Sequence, residues 1–314
     1  MEENKKELAP NKILKPIQHQ QWRIIGHLLE FNDATNLKRK EDNFVTFWKR
    51  FAKRITALVG LFILIFLVMG AIIIPFFTNN PKDTDVNRKF LAPGEEGYIF
   101  GTDKIGRDFW AYIWHGLRFS LALGLFAASI DFIVGTTLGL LMGHFKKFDR
   151  VMQYFIKVFS NIPSILILIL ATIVFDPTFF TLAIGLTITG WIPMSLNVRA
   201  QVMKARNFQW VTASKFLGTP NHKILRNYLP VALPLVITQI VLTISSVILA
   251  ETSISFIGLG VPNQPSLGSA ITTGSKIILT FPRYTLIPAS FLIGLTLSLQ
   301  LISTEIERAI VRQR

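Results

Sequence analysis

From Ile55 to Phe77 the chain runs for 23 residues without one charged side chain. A hydrocarbon layer about 30 Å thick is crossed by about 20 helical residues, so this run spans it with some tilt. In lipid no water reaches the backbone amides, and a helix satisfies them within one segment. Further apolar blocks cover about Leu117–Gly143, a third segment ending near Phe175, and then about Phe179–Leu196, Val231–Ile257 and Tyr284–Ser303. Charged residues are 17% of the chain, against about 25% in soluble proteins. The expected fold is an all-α polytopic membrane protein with six transmembrane helices. A soluble enzyme, a fibrous protein and a disordered chain are excluded.

The blocks divide the chain into a polar N-terminal arm (1–54), a first transmembrane helix (55–77), a polar external loop (78–116), a membrane core (117–304) and a short tail (305–314). Within the arm, Trp22 to Phe31 has helical spacing of apolar residues and could lie on a membrane or a partner. The core contains a basic loop from His144 to Arg150, a proline at Asn161-Ile-Pro163 that should bend the third span, a polar interruption at 197–229, and a loop rich in Gly, Pro and Ser at 258–283.

The formal net charge is +14. Six spans put both termini on one side, together with the loops around 150 and 210. That side holds 25 of the 33 lysines and arginines, and the other holds 8. The positive-inside rule then places both termini in the cytoplasm of a multi-pass cell-membrane protein, and the charge needs no nucleic acid to explain it. No short apolar run precedes the arm, so no secretory signal is expected there. There is no cysteine, and no two of the five histidines are spaced for a helical metal site. No metal site, no catalytic constellation and no phosphate-binding G-x-x-x-x-G-K-[ST] loop is expected.

Residues 197–229 carry six basic residues and no acid. Their centre reads Trp210-Val211-Thr212-Ala213-Ser214-Lys215-Phe-Leu-Gly218-Thr-Pro220. Gly218 can end one helix in the left-handed conformation. Thr219 can cap the next, with Pro220 at its first position. A short helix, a tight turn and a second helix leading to Leu229-Pro230 are expected. Such a basic knob is either a docking surface or an ordinary internal loop.

In Gly101-Thr-Asp103-Lys-Ile-Gly-Arg107-Asp108-Phe-Trp110, Asp103/Arg107 and Lys104/Asp108 are spaced i, i+4. An amphipathic surface helix is expected there, with Trp110 at the membrane interface; it is either a protein contact or an anchor. Asp131 and Glu251 are the acids well inside spans. Such a carboxylate faces a protein-lined cavity or finds a partner. It either receives a positive group of a substrate, such as a peptide α-amine, or makes a structural hydrogen bond. Pro163, Pro193 and Pro234 are fixed kinks or hinges. Gly135-x-x-x-Gly139 packs either within the chain or between subunits.

Several of these stretches resemble one family. Ala213, Gly218, Leu229 and Pro230 are similar to elements of the cytoplasmic EAA loop of ABC importer permeases; Thr212 and Ser214 replace its Glu and second Ala, and the gap from Gly218 to Pro230 is one residue shorter. Gly101 to Asp108 resembles the GTDxxGRD segment of oligopeptide and dipeptide permeases. Ala250-Glu-Thr-Ser-Ile-Ser-Phe-Ile-Gly-Leu-Gly260 resembles their EAxLSFLGLG segment. Phe47 to Arg54, with the first span, resembles their added N-terminal helix. The chain is thus identified as a member of the OppC/DppC-type permeases. The resemblance implies a type I importer fold of an N-terminal helix plus a five-helix core, alternating access, and coupling to an ATPase through Trp210–Gly218. It implies these partners: a second OppB/DppB-like permease, two OppD/OppF-like ATPases that carry ATP and Mg, an external substrate-binding protein, the bilayer and a peptide substrate. No cofactor is expected on this chain. Dipeptides, nickel or another small solute remain alternative cargoes, and an ion-coupled secondary transporter and a transport-free scaffold are the readings from other classes.

Overall fold

A computed structural model describes residues 51–78 and 80–311. The expectation for Trp22–Phe31 and the rest of the arm up to residue 50 lies outside the described residues. Nine α-helices follow in order among them: α1 Ile55–Phe77, α2 Phe109–His144, α3 Lys146–Ser160, α4 Ser164–Val174, α5 Phe179–Ala205, α6 Gln209–Phe216, α7 Asn221–Ile257, α8 Leu267–Ser275 and α9 Arg283–Val311. The described residues contain no strand, only one isolated bridge between Thr102 and Asp108.

Helices α1, α2, α5, α7 and α9 are long and apolar enough to cross a bilayer. The third span is not one kinked helix. It breaks into α3 and α4, bent by 75°. Pro163 stands at the start of α4, and Asn161 ends α3 with its side-chain amide on the Lys157 carbonyl at 2.8 Å. The proline has no N–H to continue the ladder, and the asparagine side chain satisfies part of what the break releases. With 11 residues α4 is about 16 Å long, too short to cross alone. Pro193, Pro230, Pro234 and Pro288 instead lie inside continuous helices.

Two further differences have physical reasons. Helix α5 continues nine residues beyond Leu196 to Ala205. Its polar end is held by Arg199, which forms a two-pronged ion pair with Asp149 of α3 at 2.5 and 2.7 Å. The Gly-, Pro- and Ser-rich stretch contains α8, started by a reciprocal cap: Ser266 accepts from the Ser269 amide, and the Ser269 hydroxyl accepts from the Ser266 amide.

Helix α2 packs most extensively on α5, and then on α7. The α2–α5 seam is made by Gly135, Gly139 and Gly143. A β-carbon at 139 would stand 2.6 Å from the Ser195 carbonyl oxygen and 2.7 Å from Val198 Cβ. Gly135-x-x-x-Gly139 therefore packs within the chain. Near the start of α2, Ile113, Trp114 and Leu117 are buried with Ile248, Leu267 and Leu295 of α7, α8 and α9.

The contacts sort the loops by end. The α2 start meets α8 and the α9 start through Tyr112–Ser269 and Phe109–Tyr284. At the opposite end His144 meets Asn221 at 3.2 Å. Helix α1 lies along α9. Glu305, 2% exposed, accepts from Arg54 at 2.6 Å, Thr56 at 3.0 Å and Arg308 at 2.8 Å. The basic stretches around Arg54, His144–Lys157 and Arg199–Arg226 thus share one end.

Replacing Gly139 with Leu forces a side chain into the Ser195 carbonyl and Val198. Overpacking of this kind costs about 1–3 kcal/mol, so the variant should unfold several degrees lower in detergent. An unchanged thermal midpoint would contradict the seam.

Candidate functional site

A cavity of about 530 Å³ opens where α2, α4, α5 and α7 converge. Asp131 lines it from α2, Ser164 from α4, Thr189, Gly190 and Pro193 from α5, and Gln239, Thr243, Ser246 and Ser253 from α7. The α7 polar residues recur at helical spacing along one face, the arrangement that lets one helix present a continuous polar wall. Their hydroxyls turn back to the helix: Thr243 donates to the Gln239 carbonyl, Ser246 to Thr243 and Ser253 to Leu249, at 2.8–2.9 Å. Each side chain is satisfied, yet leaves hydroxyl lone pairs on the wall. Gln239 also accepts from Asn197 at 2.9 Å. This polar α7 face was missed by the sequence reading, which looked for charges; Gln239, Thr243, Ser246 and Ser253 at i, i+4, i+7 and i+14 carry the signal.

The two intramembrane acids part company. Glu251 is fully buried and accepts from Ser120 of α2 at 3.1 Å and from Ser255 at 2.8 Å. It cross-links α2 to α7 and does not line the cavity. Asp131 is 1% exposed, and neither carboxylate oxygen has a hydrogen-bond partner among the described residues. It stands on the stripe of Gly135, Gly139 and Gly143, one helical repeat further on. There the small residue is on the facing helix: a β-carbon on Gly190 would run into the Asp131 carboxylate.

The segment 101–108 is not a helix. Gly101 and Gly106 take φ of 74° and 79°, which a helix cannot contain, and a β-carbon on Gly106 would strike the Asp85 backbone. Asp103 and Arg107 do pair, at 2.7 Å, but across a turn in which the Asp103 carboxylate also accepts from the Ile105 and Arg107 amides. Asp108 does not pair with Lys104. It caps α2, accepting from the amides of Trp110 at 2.9 Å and Ala111 at 3.3 Å. Burial pushes the Asp108 carboxyl above its ordinary value, and these two amides offset that only in part. Trp110 lies in α2, edge-on to Phe100 and Trp114. The outer-surface helix is therefore corrected to a tied loop that seats α2. Tyr284 donates to the Thr102 carbonyl, and Arg283 donates to the Leu91 carbonyl at 2.7 Å, so the loop is also bound to the start of α9.

At the basic end, α6 carries Trp210, Val211, Thr212, Ala213, Ser214 and Lys215. Val211 is fully buried with Met194, Val198 and Val202 of α5 and Ile224, Tyr228 and Ala232 of α7. Trp210 sits 5.7 Å from the Tyr228 ring. Thr212, Ala213 and Lys215 are exposed. The helix closes as expected at Gly218, φ 68°, with the Thr219 amide on the Ser214 carbonyl and the Gly218 amide on the Lys215 carbonyl, both 3.0 Å. The next cap position is occupied by Pro220 rather than Thr219, and α7 runs through Leu229-Pro230 without ending. At the end of α6, Phe216 and the following Leu217 are 87% and 83% exposed. They leave two bare apolar side chains at the tip of a polar loop.

Residues 135–312 match the family described as binding-protein-dependent transport system inner membrane component. Residues 44–93 match the N-terminal TM domain of oligopeptide transport permease C. The chain is 34% identical over 292 residues to the dipeptide transport system permease protein DppC of Bacillus subtilis (strain 168), covering 90% of this chain and 91% of that one. It is 32% identical to the oligopeptide transport system permease protein OppC of the same organism, covering 83% and 87%. It is also 32% identical to the oligopeptide transport system permease protein AmiD of Streptococcus pneumoniae, covering 80% and 84%.

Replacing Glu251 with Ala removes the acceptor of two buried hydroxyls and should destabilise the chain by about 1–3 kcal/mol. Gln keeps an acceptor oxygen and should recover most of that loss in detergent melts. Equal midpoints for the Ala variant and the native chain would remove the cross-link assignment.

Proposed function

The chain belongs to the family of binding-protein-dependent transport system inner membrane components, and we propose that it is the membrane-spanning permease subunit of an ATP-driven importer of peptides. The observation that carries this is similarity over nine-tenths of the chain to a dipeptide permease, with oligopeptide permeases beside it. The cavity supports it. A space among four helices that sets hydroxyls and the Gln239 amide beside Ile165, Leu168, Leu186, Leu242 and Val247 suits a cargo with an amide backbone and apolar side chains, and its volume of about 530 Å³ lies within the usual range for ligand pockets, about 300–1,000 Å³.

This chain supplies half of the pathway and a second homologous permease the other half. Two ATPases with ATP and Mg dock at the basic end, and an external binding protein delivers cargo at the other. The charge asymmetry favours a cytoplasmic location for the basic end and both termini. No phosphate-binding loop occurs in this sequence, so the nucleotide belongs to the partners.

The coupling element is Trp210–Gly218 with the Phe216-Leu217 tip. Its inner face is locked through Val211 onto α5 and α7, two of the helices that wall the cavity. A displacement of the tip is therefore passed to both walls as motion of packed helices. Nucleotide shifts access only by binding one arrangement more tightly than the other.

Two experiments test this. In cells lacking the chain, uptake of labelled di-, tri- and pentapeptides should be lost and should return with the native gene, and the length profile separates dipeptide from oligopeptide cargo. Unchanged uptake, with other peptide systems deleted, would remove the peptide reading and leave nickel or another small solute. Replacing Gly218 with Val places a β-branched residue at positive φ, at a cost of about 1–2 kcal/mol, and should lower uptake by about tenfold while the chain still accumulates. Normal coupling in that variant would detach α6 from the ATPases. A secondary transporter predicts no co-purifying ATPase.

A further inference from the structure

Asp131 is the unsolved electrostatic problem of this bundle. Its carboxylate is 1% exposed and has no donor. No lysine, arginine or histidine lines the cavity beside it. A lone carboxylate in a membrane interior is costly, and one that faces a cavity marks a substrate or ion pathway. Nor is its position incidental to the packing. The α2 stripe that carries glycine at 135, 139 and 143 carries this acid at 131, and the facing helix yields space with Gly190.

The cation that fits is not a resident calcium or magnesium ion. Those ions collect six or more oxygens, usually with one or more carboxylates. Asp131 is the sole carboxylate of the cavity, and no group of three His, Cys, Asp or Glu that could hold a metal occurs among the described residues. An ammonium needs three acceptors. Asp131 supplies one. Pro193 supplies the setting for another, because it leaves the Thr189 carbonyl without its intrahelical donor on a turn that lines the same cavity. Peptides differ in their side chains but share a protonated α-amine at the N-terminus.

Resting on the import reading above, we propose that Asp131 is the docking point for the α-amine of the transported peptide, with the remaining backbone against the polar face of α7. In the present arrangement the carboxylate is covered, so the amine docks when the α2–α5 seam opens at Gly190. Pro193, one turn away, has already removed a hydrogen bond that would stiffen α5 there.

The test is the ratio of uptake of a free-amine tripeptide to that of its N-acetylated form, in cells expressing the whole transporter with native, Asp131→Asn, Asp131→Glu or Asp131→Leu chains, at matched membrane levels. The binding protein is the same throughout, so its own preference cancels. Loss of a buried charge partner is large enough to change the ratio by about tenfold or more. The ratio should fall that far in Asp131→Asn and Asp131→Leu and be largely restored in Asp131→Glu. Asp131→Leu removes the buried charge altogether and guards against failure of the Asn variant to fold. A ratio equal to native in both neutral variants overturns the proposal while leaving peptide import standing. Reduced complex assembly with an unchanged ratio in the assembled fraction overturns it too, and assigns Asp131 to the contact with the second permease. Absence of any peptide uptake by the native chain overturns the import reading, and this inference with it.

Discussion

The contact between α2 and α5 sets the geometry of everything around it. Gly135, Gly139 and Gly143 let the two helices approach until the Ser195 carbonyl and the side chains of Met194, Val198 and Val202 touch the α2 backbone. In lipid there is no hydrophobic gain from bringing two apolar helices together, so close van der Waals packing has to supply the attraction. A seam made this way is rigid where the glycines are and weakest where the pattern changes. It changes at Asp131. The cavity lies beside that point, where Asp131 packs against Gly190 and where the third span is broken between α3 and α4.

Both ends of the bundle are tied to this centre, by different means. At one end the loop 80–108 is held by turns, the Asp103–Arg107 pair and the cap on α2, and is anchored to α9 through Tyr284 and Arg283. At the basic end α6 is fixed through Val211, with Trp210 beside it, into a cluster shared by α5 and α7. The first is a polar scaffold that holds positions. The second is a lever with a packed fulcrum and an exposed tip. Under the proposed import function this division would let one end meet cargo on a stable frame while the other transmits force.

Where hydropathy alone decides the outcome, the sequence was easily read. The limits of α1, the end of α7 at Ile257 and the turn at Gly218 follow from an uncharged run, a glycine after the last apolar residue and a left-handed cap. Elements decided by tertiary partners were not legible. The polar end of α5 is helical because Asp149 of α3 pairs with Arg199, a contact 50 residues away. The GTDxxGRD-like stretch has helical charge spacing, but two glycines at positive φ and the Asx turn at Asp103 override it. Helix α8 was hidden by its own composition, since Gly, Ser and Thr are poor helix formers and only the reciprocal cap at Ser266 and Ser269 betrays it. Of the candidate sites, the short helix at Gln209–Phe216 and its glycine turn were readable from spacing. The separate fates of Asp131 and Glu251 were not, because what distinguishes them is the presence of Ser120 and Ser255 around one and nothing around the other.

The clasp between Arg54, Thr56 and Glu305 joins positions 251 residues apart at its widest. Helix α1 emerges first from the ribosome, and its principal neighbour, α9, emerges last. At about 5–20 residues per second, roughly 12–50 s separate the two. Throughout that interval α1 must wait in the bilayer with lipid on the face that α9 will cover, and Arg54 must wait without its acid. The final helix therefore completes the first, and a nascent chain stopped before Glu305 carries a built-in mark of its own incompleteness.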